Sequence, residues 1–408
     1  MRLKKHILAA CSLLMLVACS SDKPKVEPVK LADIKHTASI QVRWKAVVGD
    51  AGMSVLFPAV TRTAVYAANA KGRLYRFDRD SGKQKWSIDS GFGITGGVGA
   101  GDGLVMVGGE KGELAAFDED SGKRLWQVRV SSDVLSAPQV ADGIVVVRTG
   151  NQRITGLSAK DGSRLWLYER ATPTLIVRSH AGVAIRNGFV YAGFAAGKLA
   201  AISLSNGVVL WESTVSQPRG NTELERISDI TSLPVADDEQ VCAVAYQGRL
   251  ACFEIEHGSA LWTRDVSSDK GLALSGKTLY VTDAEGNVLA LEKNSGSSLW
   301  KNGQLLQRKG TTVFPLDEFL LLGDYEGYLH VLKSADGSIS ARSLLRDAKV
   351  IHKEGGSSDY LRLFNDDAVA SHPQDDSSTD AIAIDPVTLG DGALLQSGNG
   401  TLYSVAVH

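Results

Sequence analysis

Short apolar runs punctuate the chain at near-constant intervals: Leu114-Ala115-Ala116-Phe117, Leu199-Ala200-Ala201-Ile202, Leu250-Ala251-Cys252-Phe253 and Val288-Leu289-Ala290-Leu291. A strand with one wet face alternates apolar and polar residues. These runs are apolar on both faces, which predicts sheets that are covered on both sides and therefore stacked. The small residues within the runs and their counterparts elsewhere (Ala116, Gly156, Ala201, Cys252, Ala290, Ser404) predict close approach between neighbouring sheets.

Each run is framed in the same way. A glycine precedes it, a tight turn such as Asp80-Ser81-Gly82 follows, and a tryptophan arrives fourteen positions after the first glycine. The interval holds for Gly72 to Trp86, Gly112 to Trp126, Gly197 to Trp211, Gly248 to Trp262 and Gly286 to Trp300. Gln152 to Trp166 keeps it with Gln for Gly, and Gly327 to Ala341 keeps it with Ala for Trp. Gly400 opens an eighth copy that runs out of chain, and Trp44 near the other end supplies its missing tryptophan. Each unit reads as four strands. In the first these are Ser54 to Val60, Ala64 to Ala68, Leu74 to Phe77, and a fourth carrying Trp86. Glycine supplies the positive φ of the turns, and Asp or Asn caps nearby amides. Four-stranded units of about 40 residues stacked face to face form a β-propeller. The fold expected is all-β: an eight-bladed propeller of antiparallel blades over 39–408, closed by pairing the N- and C-terminal strands. Pro58, Pro138, Pro234 and Pro315 suit innermost strands, which are sheet edges. The seven tryptophans (Trp44, Trp86, Trp126, Trp166, Trp211, Trp262, Trp300) are expected to dock blade on blade.

Composition is globular, with 44% hydrophobic and 22% charged residues and a formal net charge of −2. This gives no support for nucleic-acid binding, which calls for a basic face with stacking aromatics. The start of the chain adds an address. Arg2, Lys4 and Lys5 precede an apolar core at Ile7 to Val17, too short to span a bilayer as a stable helix. Leu16-Val17-Ala18-Cys19 then resembles a bacterial lipoprotein signal. Residues 1–18 are expected to be removed, Cys19 to be lipidated, and 19–38, with Pro24 and Pro28, to form a flexible tether. Ser20 after the cysteine resembles sorting to the outer membrane, on its periplasmic face.

The blade signature resembles the tryptophan-docking repeat of quinoprotein dehydrogenases. Those enzymes hold pyrroloquinoline quinone over calcium, with a carboxylate and amide ligand set, a catalytic Asp and an adjacent cysteine pair. No two cysteines are adjacent here and no compact carboxylate set stands out. The eight histidines lack ligand spacing, and the Gly-Gly pairs match no phosphate loop. Neither catalysis nor any cofactor or metal is expected. Cys242 and Cys252 flank the turn at Gln247-Gly248, and buried thiols and a cross-strand disulfide are equally open for them.

Function is expected where the repeat lengthens. From Gln152 to Gly197 the interval is 45 residues, and from Gly197 to Gly248 it is 51. The extra residues fall in two successive connections from an outer strand to the next inner strand, at 169–180 and 215–230. Both mix apolar residues with Arg and acids, the composition of a protein interface. With the leader, the tether and the eight blades, Leu175-Ile176-Val177-Arg178 and Glu223-Leu224-Glu225-Arg226-Ile227-Ser228-Asp229-Ile230 resemble the BamB family, lipoproteins of the outer-membrane β-barrel assembly machine. The resemblance implies a non-catalytic scaffold that binds the periplasmic POTRA region of the barrel component, BamA, and guides unfolded outer-membrane proteins to it. It implies contacts through Leu175, Val177 and Arg178 and through Arg226, Ser228 and Asp229, with Leu175 an apolar anchor and Arg178 and Asp229 charged contacts. Val177 replaces a leucine of the family pattern. The 73-residue interval from Gly327 to Gly400 is a larger departure, and it bears on how the seventh blade ends. The competing readings are an anchored quinoprotein-type oxidoreductase and a propeller that binds cell-wall glycan.

Overall fold

The computed structural model describes residues 27–350, 380–382 and 384–408. The leader 1–18, the lipidation site Cys19, the first part of the tether, and residues 351–379 and 383 of the long interval before Gly400 lie outside the described residues. Eight four-stranded antiparallel sheets make up the described fold. Blades 1 to 7 occupy 59–89, 99–129, 139–168, 184–214, 235–264, 272–302 and 314–344 in chain order. Blade 8 combines Val387–Leu389, Gly392–Gln396 and Thr401–Val407 with the outer strand Ile40–Val47 from the other end of the chain. Ile40 pairs with Val407 and Val47 with Thr401, so the ring closes as the unfinished repeat predicts. The innermost strands are shorter than expected. The run from Ser54 is a strand only at Ala59–Val60.

The tryptophan interval has a mechanical cause at both ends. Each tryptophan seats on the turn glycine of the following blade: Trp44 on Gly82, Trp86 on Gly122, Trp126 on Gly162, Trp166 on Gly207, Trp211 on Gly258, Trp262 on Gly296 and Trp300 on Gly337. A Cβ on Gly207 would lie 2.8 Å from the Trp166 ring, and its φ of +73° is a second reason for glycine. The indole N–H is satisfied in the same place. Trp166 Nε1 donates to the Leu204 carbonyl (2.8 Å), three residues before that glycine. Trp44, Trp126, Trp211, Trp262 and Trp300 bond equivalent carbonyls. Trp86 does not: its Nε1 has no hydrogen-bond partner, and the equivalent carbonyl, on Glu119, accepts from the hydroxyl of Tyr66 (3.3 Å).

The small residues of the third strands have a different role from the one expected. Ala116, Gly156, Ala201, Cys252, Ala290 and Ser404 each lie directly opposite the tryptophan of their own blade. They make room for an indole across the strand pair. Where the tryptophan is lost, at Ala341, the partner is the larger Val331.

Ala341 sits at the one seam with no turn to seat a tryptophan. In blade 8 the third and fourth strands come from opposite chain ends, and Ser39 and His408 exchange backbone hydrogen bonds where a turn would be. The N-terminal segment covers this seam. Thr37 N donates to Ser340 O (2.8 Å), and Ala38 and Ile40 pack beside Ala341. The described end of the expected tether is therefore held against blade 7. Val29 N donates to Leu306 O (3.1 Å), Arg308 Nη1 to Val29 O (3.2 Å) and Arg342 Nη1 to Ala32 O (3.0 Å). Behind these arginines, buried Asp324 accepts from Arg308 Nε (2.8 Å) and pairs with His330 Nε2 (2.8 Å), while Arg342 Nε donates to His330 Nδ1 (3.2 Å).

Cys242 and Cys252 are opposite one another on adjacent strands of blade 5, with Cα atoms 4.1 Å apart, and form a disulfide. The register places both thiols on one face of the sheet.

Candidate partner-binding surface

In an antiparallel four-stranded blade, the turn between the second and third strands and the connection to the next blade emerge on the same face of the disc. Their contacts show it: Ser90 N donates to Gly72 O and Val130 N to Gly112 O. This contact also explains the repeat's first glycine. A Cβ on Gly72 would lie 2.4 Å from the Phe92 carbonyl of the departing connection. Residues 169–183 and 215–234 form the two long connections on this face, between blades 3 and 4 and between blades 4 and 5.

The side chains named from the sequence divide into two groups. Leu175 is 42% exposed, and the side chain of Arg178 is 67% exposed while its Nη2 donates to Asp133 Oδ2 (3.1 Å). The Arg226 side chain is about half exposed. It pairs with Glu223 and donates from Nε to Gly220 O (3.1 Å), which stiffens the tip of the second connection. These three project from the surface.

Ser228 and Asp229 do not. Ser228 is buried and Asp229 is 4% exposed, so the expected charged contact with a partner is corrected to an inward one. Asp229 Oδ2 accepts from Val177 N (2.8 Å), and its Oδ1 accepts from Ala196 N (3.0 Å) in the turn of blade 4. Its carbonyl accepts from Tyr246 N (2.8 Å) in the turn of blade 5. One carboxylate joins the two long connections to each other and to the disc. Val177 is half-buried, and what it contributes to this junction is its backbone N–H.

Two features went unread in the sequence. Leu224, at the tip of the second connection, is 67% exposed, more than Leu175. It stood in the quoted segment, but nothing in its neighbours distinguished an outward leucine from an inward one. Arg148 ends the second strand of blade 3, in a position that reads as ordinary surface. It is instead buried, with Nη1 donating to Ala181 O (3.2 Å) and the guanidinium over the Phe194 ring (5.2 Å). Burial pulls its pKa down to about 10, against the opposing charge of Asp229. Arg170 covers Phe194 as well (5.0 Å). A cavity of about 20 Å³ lies between Arg148, Gln152, Val177 and Ala181, room for one water. Burial, then the Arg178 charge, push the pKa of His180 below its ordinary value, so its imidazole is neutral at pH 7.

Glu254, Glu256 and His257 form a carboxylate–imidazole group within 4.8 Å on a turn of blade 5. His257 N donates to Glu254 Oε2 (3.1 Å), an ordinary turn arrangement on the opposite face from the long connections. Among the described residues no helix is long and apolar enough to cross a membrane.

The family model described as "Outer membrane protein assembly factor BamB" matches residues 70–302. A protein of that name from Pseudomonas aeruginosa is 45% identical over 342 residues, 83% of this chain and 90% of its own length. One from Nitrosomonas eutropha is 43% identical over 329 residues, 80% of each chain. Among solved structures, BamB from Moraxella catarrhalis superposes with a TM-score of 0.75 at 23% identity, covering 90% of this chain and all of that one. Residues 351–379 and 383 of the long interval lie outside the described residues, but the seven seated tryptophans, the closure through Trp44 and these identities agree: the chain belongs to the BamB family of outer-membrane protein assembly factors.

Proposed function

We propose that this protein is a non-catalytic scaffold of outer-membrane protein assembly, lipid-anchored through Cys19 on the periplasmic face of the outer membrane. It binds the POTRA region of BamA through the connections 169–183 and 215–234. The observation that supports this most directly is the junction at Asp229. Two chemically mixed segments on adjacent blades are held in one arrangement, with Leu175 and Leu224 as apolar projections and Arg178 and Arg226 as charged ones. An apolar anchor ringed by charge is how interface hot spots are built. Asp229 serves the same contact from below by fixing backbone positions, with Ser228 buried beside it. Val29 lies against the connection 303–313, on the same face as the two long connections. An anchor at Cys19 would therefore leave the disc on the partner-binding side and hold that face towards the membrane.

The test is co-purification with the POTRA region of BamA. Leu175→Glu with Arg178→Glu places charge at the apolar anchor and inverts the neighbouring one. It should abolish co-purification while the circular dichroism spectrum stays that of the wild type, since neither side chain is in the core. Co-purification that survives the double substitution would overturn the proposal.

A further inference from the structure

The turns between second and third strands differ around the ring. In blades 1, 2, 6, 7 and 8 the left-handed residue is a glycine: Gly72, Gly112, Gly286, Gly327 and Gly400. In blades 3, 4 and 5 non-glycine residues take left-handed backbone: Gln152 (φ +63°), Ala196 (φ +57°, beside Gly197 at +65°) and Gln247 (φ +51°). Such conformations are costly for residues with a Cβ and persist where the surroundings enforce them. These are the three blades that the two long connections join.

At Gln152 both the permission and the use are visible. The other glycines are needed because the departing connection crosses directly over them whatever its length, as Asp380 O does 2.7 Å from a Cβ on Gly327, whereas 169–183 leaves room for a side chain at Gln152. Gln152 is buried, and its Oε1 accepts from Ala195 N (3.3 Å). The next amide, Ala196 N, is the one bound by Asp229, which in turn holds Val177. Arg148 lines the same small cavity as Gln152 and fastens the end of the first connection at Ala181. On the other side, Gln247 with its amide nitrogen facing the acceptors donates to Leu224 O and Ile227 O, 3.3 Å each, and its backbone N donates to Ser267 Oγ (2.9 Å).

We infer that Gln152, Arg148 and Gln247 are positioning residues that lock the two connections into a preformed surface before any partner arrives. The clamp is read from contacts within the chain, while its purpose rests on the partner-binding reading above. A preformed surface binds more tightly because the loops are not ordered at the moment of association.

Gln152→Gly is the informative substitution. It restores the residue of the regular repeat, relieves the left-handed strain and removes only the bond to Ala195. Global stability should change little. Amide hydrogen exchange at Ala195 and Ala196 should quicken on the order of tenfold, with Val177 following, and the dissociation constant for the POTRA fragment should rise by a similar factor. Gln152→Glu keeps the accepting oxygen beside Arg148 and should restore both. Exchange at 195 and 196 unchanged in Gln152→Gly would overturn the clamp. Faster exchange with unchanged affinity would leave the clamp standing and overturn the reading of these connections as the partner surface.

Discussion

Blades 3 to 5 and the closure at blades 7 and 8 both break the repeat, and they break it at different depths. In the first arc the seams are intact: Trp126, Trp166 and Trp211 are all buried on their glycine seats. The irregularity there is confined to turns and connections on one face. At the closure the seam itself is altered. Ala341 replaces the tryptophan, and the N-terminal segment 29–38 is laid across the gap. A propeller can lengthen its loops freely while the tryptophan seams carry the packing, because loop-closure entropy grows slowly with length. Altering a seam requires compensation in the core.

The largest effect should come from breaking a seam beneath the loops. Trp166→Ala removes a buried indole and its bond to Leu204, with a cost of about 3–5 kcal/mol in chemical unfolding. A loss well below that would show that the seam is not what supports the arc. Next comes the reverse change. Ala341→Trp completes the repeat in sequence, but the seventh seam has no turn glycine, and Val331 faces the site. Overpacking should cost about 1–3 kcal/mol. A gain in stability would mean that the closure is an ordinary seam after all.

The smallest effect concerns the buried charges that grip residues 29–32. Burial pushes the pKa of the His330 imidazole below its ordinary value, although Asp324 opposes this and Arg342 and Arg308 add to it. The Tyr328 ring lies tilted beside it and Glu326 completes the group through Arg308. The unfolded chain takes up a histidine proton near pH 6.5 that the folded chain resists, so stability should decline as pH falls below about 6.5. For Asp324, burial raises the pKa, but the His330 bond and the charges of His330 and Arg308 outweigh it and keep the pKa below the ordinary value. That contribution holds above the unfolded value and is lost in stronger acid. Unfolding free energies from urea titrations should fall between pH 7 and 5 by less than about 1.4 kcal/mol per pH unit for this one group. His330→Gln, which keeps a donor and an acceptor without titrating, should flatten the slope. An unchanged slope would place the acid sensitivity elsewhere.

Much of the architecture could be read before any coordinates. The glycine-to-tryptophan interval counted the blades, and the unfinished copy at Gly400 with the solitary Trp44 located the closure. Those signals are local, because a turn needs glycine where φ is positive and a strand alternates its faces every residue. The small residues in the third strands were equally visible, yet their partner was misassigned from blade to blade. The register that sets Gly156 against Trp166 depends on a bulge that neither residue announces. The fate of the two cysteines had the same obstacle, since one step of register separates facing thiols from opposed ones.

The candidate surface divides along the same line. That residues 169–180 and 215–230 lie on adjacent blade connections followed from the spacing alone, as did their mixed composition. Which side chains face outward did not. Asp229 read as a charged contact and is the buried hinge of the surface, because Val177, Ala196 and Tyr246 converge on it from 52, 33 and 17 residues away in the chain. Gln152 read as a lapse in the repeat and has a side chain with a destination on the next blade. The sequence by itself determined the ring, its count and its closure, since each rests on interactions within one blade or one interval. Only the tertiary structure decided the roles of Asp229, Arg148 and Gln152, because a buried polar group takes its meaning from partners that the chain brings together only by folding.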